Sequence, residues 1–597
     1  MPVRAAEQFT SQLQSTYTVD ESGNTRVVHQ ISITNKTPAV FIKQYALKTN
    51  SGDIKSVLAT YKNSPLAPNV ISTPTATTIA LDFPDQVVGE GKSRVFTIEY
   101  LTNDLATIGG RVLEFHAPKL GTAQAFDQLT TVIQTPLKFG APKRAEPTPT
   151  STQTTTEHTI TTFAGEQASG VTLFFGDTQY YGANIRYQLE NTGSSEAVGQ
   201  IALPPDTQFQ KVSYESLSPL PATLKRDSDG NWIATYRIPA NSITTVDLMA
   251  TITVTLERNN TPGQTVLKEH LSTQPFWQVQ NPTITNLAQQ NPTASNIYNY
   301  LVKTLTYADV TQTQKLHRLG AVDALANPDQ AVCQEFTDTF VTIARAAGIP
   351  ARRLTGFAYT QNEKLRPLGL EGDVLHAWPE YYDAASGNWQ PIDPTWGATT
   401  GGVDYFNQFD LNHIVFAING VSSTTPYAAG FYKAQDSTTK DVQITFTQAP
   451  PELPNEYHIR ISSQQLFGLP VPGLSILTLT NNSGTAVYDL NLTVGNVVRQ
   501  IDALLPFESR AVPITLLTET WSLPRAERAT VTIRDSAGQI VYESTNHTII
   551  SAPPIFGRLT NPTVLLGVGI SIAVTTLTAG SVLVFRRKQH RFIRRKS

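Results

Sequence analysis

Residues 331–357 read AVCQEFTDTFVTIARAAGIPARRLTGF, and their periodicity decides how the middle of this 597-residue chain folds. Val332, Phe336, Phe340, Ile343, Ala344 and Ala347 recur at helical spacing, so one face of a helix from about Val332 to Ala347 is expected to be buried. Gly348 can adopt the left-handed conformation that closes a helix, and Pro350 prevents continuation. Cys333 then falls in the first turn, where unpaired backbone amides and the positive end of the helix dipole favour a thiolate. It is the sole cysteine. Intrachain disulfides and Cys-rich zinc sites are thereby excluded, and a position at a helix start makes it a nucleophile rather than an inert core thiol.

Downstream, LHAWPEYY at 375–382 reads as a strand, Asp383 to Asn388 as a turn, and WQPID at 389–393 as the returning strand. His376 and Asp393 lie nearly symmetrically about that turn, so a hairpin would bring imidazole and carboxylate together. A catalytic triad follows. His376 takes the thiol proton and returns it to the leaving amine, Asp393 holds the imidazole, and Cys333 attacks an amide carbonyl to form a thioester. The backbone N–H of Cys333 and the side chain of Gln330 are the candidate oxyanion donors.

These pieces resemble the transglutaminase-like superfamily, whose pattern is a Cys opening a helix followed by GIPAR, HAW and DPT; here they stand at 331–357, HAWPEYYD at 376–383 and WQPIDPTWG at 389–397. The resemblance spans about 285–432 and implies a papain-like α+β fold with thiol-based acyl transfer at Cys333, His376 and Asp393. Two positions depart from it: Ala331 stands where Gly is common, and Pro379 follows the HAW tripeptide in place of an aliphatic residue.

Around the triad, Trp378, Trp389 and Trp396 are expected to pack the hairpin. Trp378 and Glu380 are the candidates for supporting the triad, although Glu380 reads more simply as an exposed strand residue. His413, in the apolar run NHIVFAI, is expected to be a satisfied core histidine. No HExxH or calcium-loop spacing occurs, so no metal and no cofactor is expected.

On either side the pattern changes to period-2 alternation. Val27, His29, Ile31 and Ile33 share one strand face, and Val246, Leu248, Ala250, Ile252, Val254 and Leu256 alternate without a break. Strands ending in SITNKT at 32–37, QLENTG at 188–193 and TLTNNSG at 478–484 suggest immunoglobulin-like sandwiches. The expected order is a β-sandwich at 1–140, a Pro/Thr-rich linker or loop at 141–157, a second β-rich domain at 158–258, the catalytic domain at 285–432, and an immunoglobulin-like domain at 437–551. One composite β domain over 1–258 is the alternative.

Thr563 to Phe585 contains no charged residue in 23 positions, enough at about 1.5 Å per residue to cross a hydrocarbon layer of about 30 Å, so a transmembrane helix is expected there. Residues 586–597 carry seven Lys or Arg, which places them on the cytoplasmic side and the body outside, anchored by a single pass. That orientation needs an export signal, and MPVRAAEQFTSQ has no apolar segment of that kind. Either Val3 to Ala6 is the remnant of a cleavage region or the protein is tail-anchored with a cytoplasmic body. With −3 overall and +7 in the tail, everything before it carries −10, which argues against nucleic acid as a partner.

The expected fold is therefore multidomain, an α+β papain-like core flanked by β-sandwiches and closed by a C-terminal transmembrane helix. The expected function is a membrane-tethered cysteine enzyme acting on a protein or peptide substrate, with hydrolysis favoured over amine transfer. The alternatives are a protein-crosslinking transglutaminase and a catalytically silent surface protein.

Overall fold

Alternation in the first third of the chain produces strands in which every second side chain is buried, and Val27, His29, Ile31 and Ile33 are all inside. The computed structural model describes residues 8–551 apart from 50–52, 74–75, 118–125, 260, 262–264, 309–317, 360–374, 401–402, 435–438, 451–456, 467–468 and 516–524. In the first unit, an eight-stranded sheet has the strand Phe9–Val19 paired antiparallel to Thr25–Asn35 and parallel to Gln128–Pro136. Smaller sheets of three and four strands complete this unit around Phe96, Phe115, Phe163 and Phe175.

The expected linker is not loose. Arg144–Glu146 and Ser151–Thr154 are edge strands, paired to Thr172–Phe175 and His158–Ala164 respectively. An edge strand needs ladder hydrogen bonds but little apolar surface, which is why Thr-rich sequence suffices. His158–Ala164 and Thr172–Phe175 themselves belong to the first unit's sheets, so its β structure runs past the expected end at 140 and into the range 158–258 expected for the second domain.

The second unit packs the four-stranded sheet containing Thr178–Asn191 and Ser242–Thr255 against a three-stranded one, around Tyr181, Tyr187, Tyr214 and Trp232. The same buried cluster takes in Val112 and Phe174 of the first unit and Ile414 and Phe416 of the central sheet, so the units share buried surface. The fourth strand of the larger sheet is Val442–Phe446, paired to Tyr181–Ile185. That segment, assigned from sequence to the C-terminal domain, is thus an edge of the second unit. The remaining C-terminal strands, Tyr457–Leu466 to Ile540–Ser551, form a sandwich of three strands on four around Leu477, Leu492, Val512 and Val531.

Between these β units lies the central domain. The helix Ala294–Thr304 begins at Thr293, whose Oγ1 accepts from Asn296 N at 3.2 Å. The helix Cys333–Ala346 buries Phe336, Phe340 and Ile343 in a common core with Trp277, Ile297 and Trp396. It ends as the residues require: Gly348 has φ +79° and Ile349 N returns to Ala344 O at 2.9 Å. Against it stands an antiparallel sheet in the order Asn388–Pro391, His376–Asp383, Ala351–Ala358, His413–Asn419. At Gly356, opposite His376 in the register, a Cβ would lie 1.8 Å from Ile414 O, so only glycine fits.

The outer strand of this sheet is held by the second unit through side chains that imitate a neighbouring strand. Gln210 accepts from Val415 N and donates to Val415 O, both at 2.9 Å. Asn231 does the same at Ile418, at 2.7 and 2.8 Å. The edge that would otherwise be open is thereby closed, and the central sheet is fixed to its β neighbour.

One element of the expected architecture is corrected. Strands dominate the described chain, and no helix among the described residues is long and apolar enough to cross a membrane. The longest of them, Cys333–Ala346, has 14 residues; at about 1.5 Å per residue that is about 21 Å. Residues 563–585 and the basic tail 586–597 lie outside the described residues.

Candidate active site

Cys333 opens its helix, as the periodicity requires, and Glu335 fixes the turn. The Glu335 carboxylate accepts from Val332 N and Leu319 N, each at 3.1 Å, in a side chain that is 2% exposed. Burial raises its pKa against those two bonds. Cys333 is partly exposed. The amides of Cys333 and Gln334 make no hydrogen bond among the described residues, so two N–H groups of the first turn remain available beside the sulfur.

His376 begins the strand His376–Asp383, and Asp393 follows the returning strand as N-cap of the helix Pro394–Thr399. The hairpin brings the two together: His376 Nε2 lies 2.8 Å from Asp393 Oδ2, with both side chains buried. The other carboxylate oxygen accepts from Trp396 N at 3.0 Å. Burial disfavours charge on His376, but the Asp393 carboxylate and the Cys333 sulfur outweigh it and raise its pKa to about 10. The same pairing holds Asp393 well below the ordinary carboxylate range despite its burial. His376 Nδ1 is buried and makes no hydrogen bond of regular geometry, so it is the nitrogen left for the thiol.

The imidazole lies against two indoles. Trp378 and Trp396 stack on it at 5.8 and 5.4 Å between ring centroids, tilted by only 21° and 22°. Trp378 and Trp396 therefore orient His376 as well as pack the hairpin. Trp389 instead lies under Arg352, whose guanidinium is 4.0 Å from its ring centre.

Two supporting candidates fall elsewhere. Gln330 is exposed at the end of the turn Pro328–Gln330 and has no side-chain hydrogen bond among the described residues. Glu380, expected on the surface, is 7% exposed and ion-paired to Arg352, its cross-strand partner. The pair explains the burial, because neither charge could be buried alone.

Residue reading missed His413. It is buried and fully bonded, as a core histidine should be, but one of its partners is the triad carboxylate: Nε2 is 3.1 Å from Asp393 Oδ2 and Nδ1 is 2.7 Å from Asp410 Oδ1. Burial opposes its charge and the two carboxylates raise its pKa above the ordinary value. The acid three residues earlier, in DLNH at 410–413, was the available signal. Tyr307, equally unremarked in the sequence, is held beside the nucleophile turn by a bridge to Ala331. Burial, then the charges of Cys333 and Asp393, push its hydroxyl upward.

Ligand-type atoms of His376, Asp393 and His413 lie within 4.8 Å of one another, the arrangement a metal ion would need. Both Nε2 atoms also lie within hydrogen-bond distance of one carboxylate oxygen, so protonated imidazoles can satisfy that oxygen without a cation.

A family model described as the Transglutaminase-like superfamily matches residues 278–394, which include all three triad positions. The chain contains a transglutaminase-like domain. No curated protein matches the chain. Among solved structures, a candidate cysteine protease from Cytophaga hutchinsonii aligns over 46% of this chain and 99% of its own, with 16% identity and a TM-score of 0.28. The periplasmic domain of TgpA from Pseudomonas aeruginosa aligns over 38% and 91%, with 13% identity and a TM-score of 0.21. At these scores neither likeness carries a functional inference for the transglutaminase-like domain.

Proposed function

We propose that the protein is a cysteine enzyme that cleaves peptide or amide bonds through a thioester on Cys333. The observation that carries this reading is the buried 2.8 Å contact from His376 Nε2 to Asp393, which leaves Nδ1 for the sulfur at the helix start. In the reaction, the Cys333 thiolate attacks the substrate carbonyl carbon. The free amides of Cys333 and Gln334 donate to the oxygen as it gains charge. The C–N bond breaks as His376 Nδ1 gives its proton to the leaving nitrogen, and Asp393 holds the ring throughout. Water, activated by the now neutral imidazole, then attacks the thioester and releases the acid and the thiol.

Hydrolysis is favoured over transfer to an amine, because no feature of the sequence supplies the tunnel needed to bring an amine in while keeping water out. The deciding experiment incubates the protein with a glutamine-containing peptide, with and without a primary amine, and follows ammonia release and product mass. Hydrolysis gives cleaved or deamidated peptide in both cases, whereas an amine adduct as the main product would show transfer. Absence of either product, with Cys333 unreactive to iodoacetamide at neutral pH, would overturn the enzymatic reading.

A further inference from the structure

A cavity of about 430 Å³ lies where the first and second β units meet the central sheet, and neither Cys333 nor His376 lines it. Its size falls within the range of small-molecule sites. Arg352, Leu354, Trp378 and Glu380 face it from alternate positions of two paired strands, and Phe209 and Phe409 add apolar wall. Trp378 and His413 separate it from the triad.

The polar groups of the wall are not all satisfied. Trp378 is 1% exposed and its Nε1 has no hydrogen-bond partner among the described residues; the same holds for Gln208 Oε1 and Thr261 Oγ1, both from wall residues. An indole N–H buried without an acceptor costs free energy that a ligand acceptor would recover. The charges are equally uneven. Glu380 is taken by Arg352 and Asp410 by His413. Arg144 donates to Phe409 O and feels the charge of Asp410, and Arg258 lies over the Phe209 ring and acts on Asp383, but neither is closed into an ion pair among the described residues. Glu257 at the exposed rim is the one further acid of the wall.

We propose that this cavity binds a small organic anion with an apolar body, its charge met by Arg144 and Arg258 and its remaining acceptor by Trp378 Nε1. The site is lined by His413 and is separate from Cys333 and His376.

The test titrates the full chain with 8-anilinonaphthalene-1-sulfonate, an aromatic anion, and with uncharged N-phenyl-1-naphthylamine. The expected result is one saturable site that prefers the anion about tenfold, the scale of one charge-assisted contact. Arg258→Glu, an exposed change that leaves the fold intact, is expected to abolish that preference, and Leu256→Trp, which fills the cavity, to abolish binding in protein of unchanged circular dichroism. Cys333→Ala is expected to leave binding unchanged. Equal affinity for the two probes, no response to Arg258→Glu, or loss of the site in Cys333→Ala would overturn the proposal, and none of these outcomes depends on whether the protein is an enzyme.

Discussion

His413 Nε2 approaches Asp393 Oδ2 to 3.1 Å, sharing with His376 the single oxygen that orients the His376 imidazole. The shared oxygen makes Asp393 the middle of a buried chain running Asp410, His413, Asp393, His376. A carboxylate fixed from one side by His413 and from its other oxygen by Trp396 N has little freedom to swing. His413 is thus a positioning residue for the triad. His413→Gln is expected to lower kcat on a peptide substrate by about tenfold to a hundredfold with KM little changed, the scale seen when the partner of a site residue is lost. It is also expected to shift the pH profile, which a merely destabilising change would not do. Unaltered kcat and pH profile in His413→Gln would show that the bond is incidental.

Glu335 acts on the other member of the pair. Its two bonds, to Val332 N and Leu319 N, set where the helix begins and hence where the Cys333 sulfur points. Glu335→Ala is expected to cost about 1 to 3 kcal/mol, because it removes a cap and leaves buried donors without acceptors. Urea unfolding measures that loss, and the rate of Cys333 alkylation in the still-folded protein is expected to fall with it. A stability loss with an unchanged alkylation rate would separate the cap from the nucleophile's position.

The start of the helix at Cys333, its end at Gly348 and the pairing of His376 with Asp393 were legible because each rests on local sequence: a helical face, a closing glycine, a hairpin symmetric about its turn. Glu380 and His413 were not, because their environments are made by residues far away in the chain. A glutamate on a strand reads as exposed until its cross-strand neighbour is known to be Arg352. For the same reason the edge strand Val442–Phe446, which joins Tyr181–Ile185 across some 250 positions, could not be assigned by alternation, which reports burial and not partners.

That strand supports a test of where the second unit ends. A chain terminated after residue 434 leaves Tyr181–Ile185 as an open edge and exposes the Ile444 and Phe446 positions' packing partners. It is expected to aggregate or to lose several degrees of Tm relative to a chain terminated after residue 450, since an unpaired edge strand is a template for intermolecular pairing. Equal Tm and solubility of the two would mean that the strand contributes nothing to the second unit.

Glu380 and Arg352 form a buried ion pair on the sheet face that also carries His376, without touching the triad. Removing one partner leaves the other charge buried, so Glu380→Ala is expected to destabilise the protein by about 3 to 5 kcal/mol. Arg352 keeps its place over Trp389, so at a temperature where the variant is folded, labelling of Cys333 is expected to match the parent. A variant of unchanged stability that is inactive would instead place Glu380 in the chemistry.

The raised pKa of His376 fixes how stability must depend on pH. The unfolded chain binds this proton with the ordinary value of about 6.5, and the folded one with about 10. The pair's contribution is therefore full below about pH 6.5, where both states hold the proton, and is lost progressively as pH rises through about 10. Asp393, held below its ordinary range, sets the opposite limit: its contribution is present above about pH 4 and is lost as pH falls toward the depressed folded value. Urea midpoints measured for the parent at pH 5.5, 8 and 9.5 are expected to fall steadily, and His376→Phe is expected to flatten that slope while lowering the value at pH 5.5. The same proton is the one given to the leaving nitrogen, so peptide cleavage is expected to persist to pH 9. A decline centred near pH 6.5, or a His376→Phe variant with the parent's slope, would show that the imidazole is not held charged by Asp393 and Cys333.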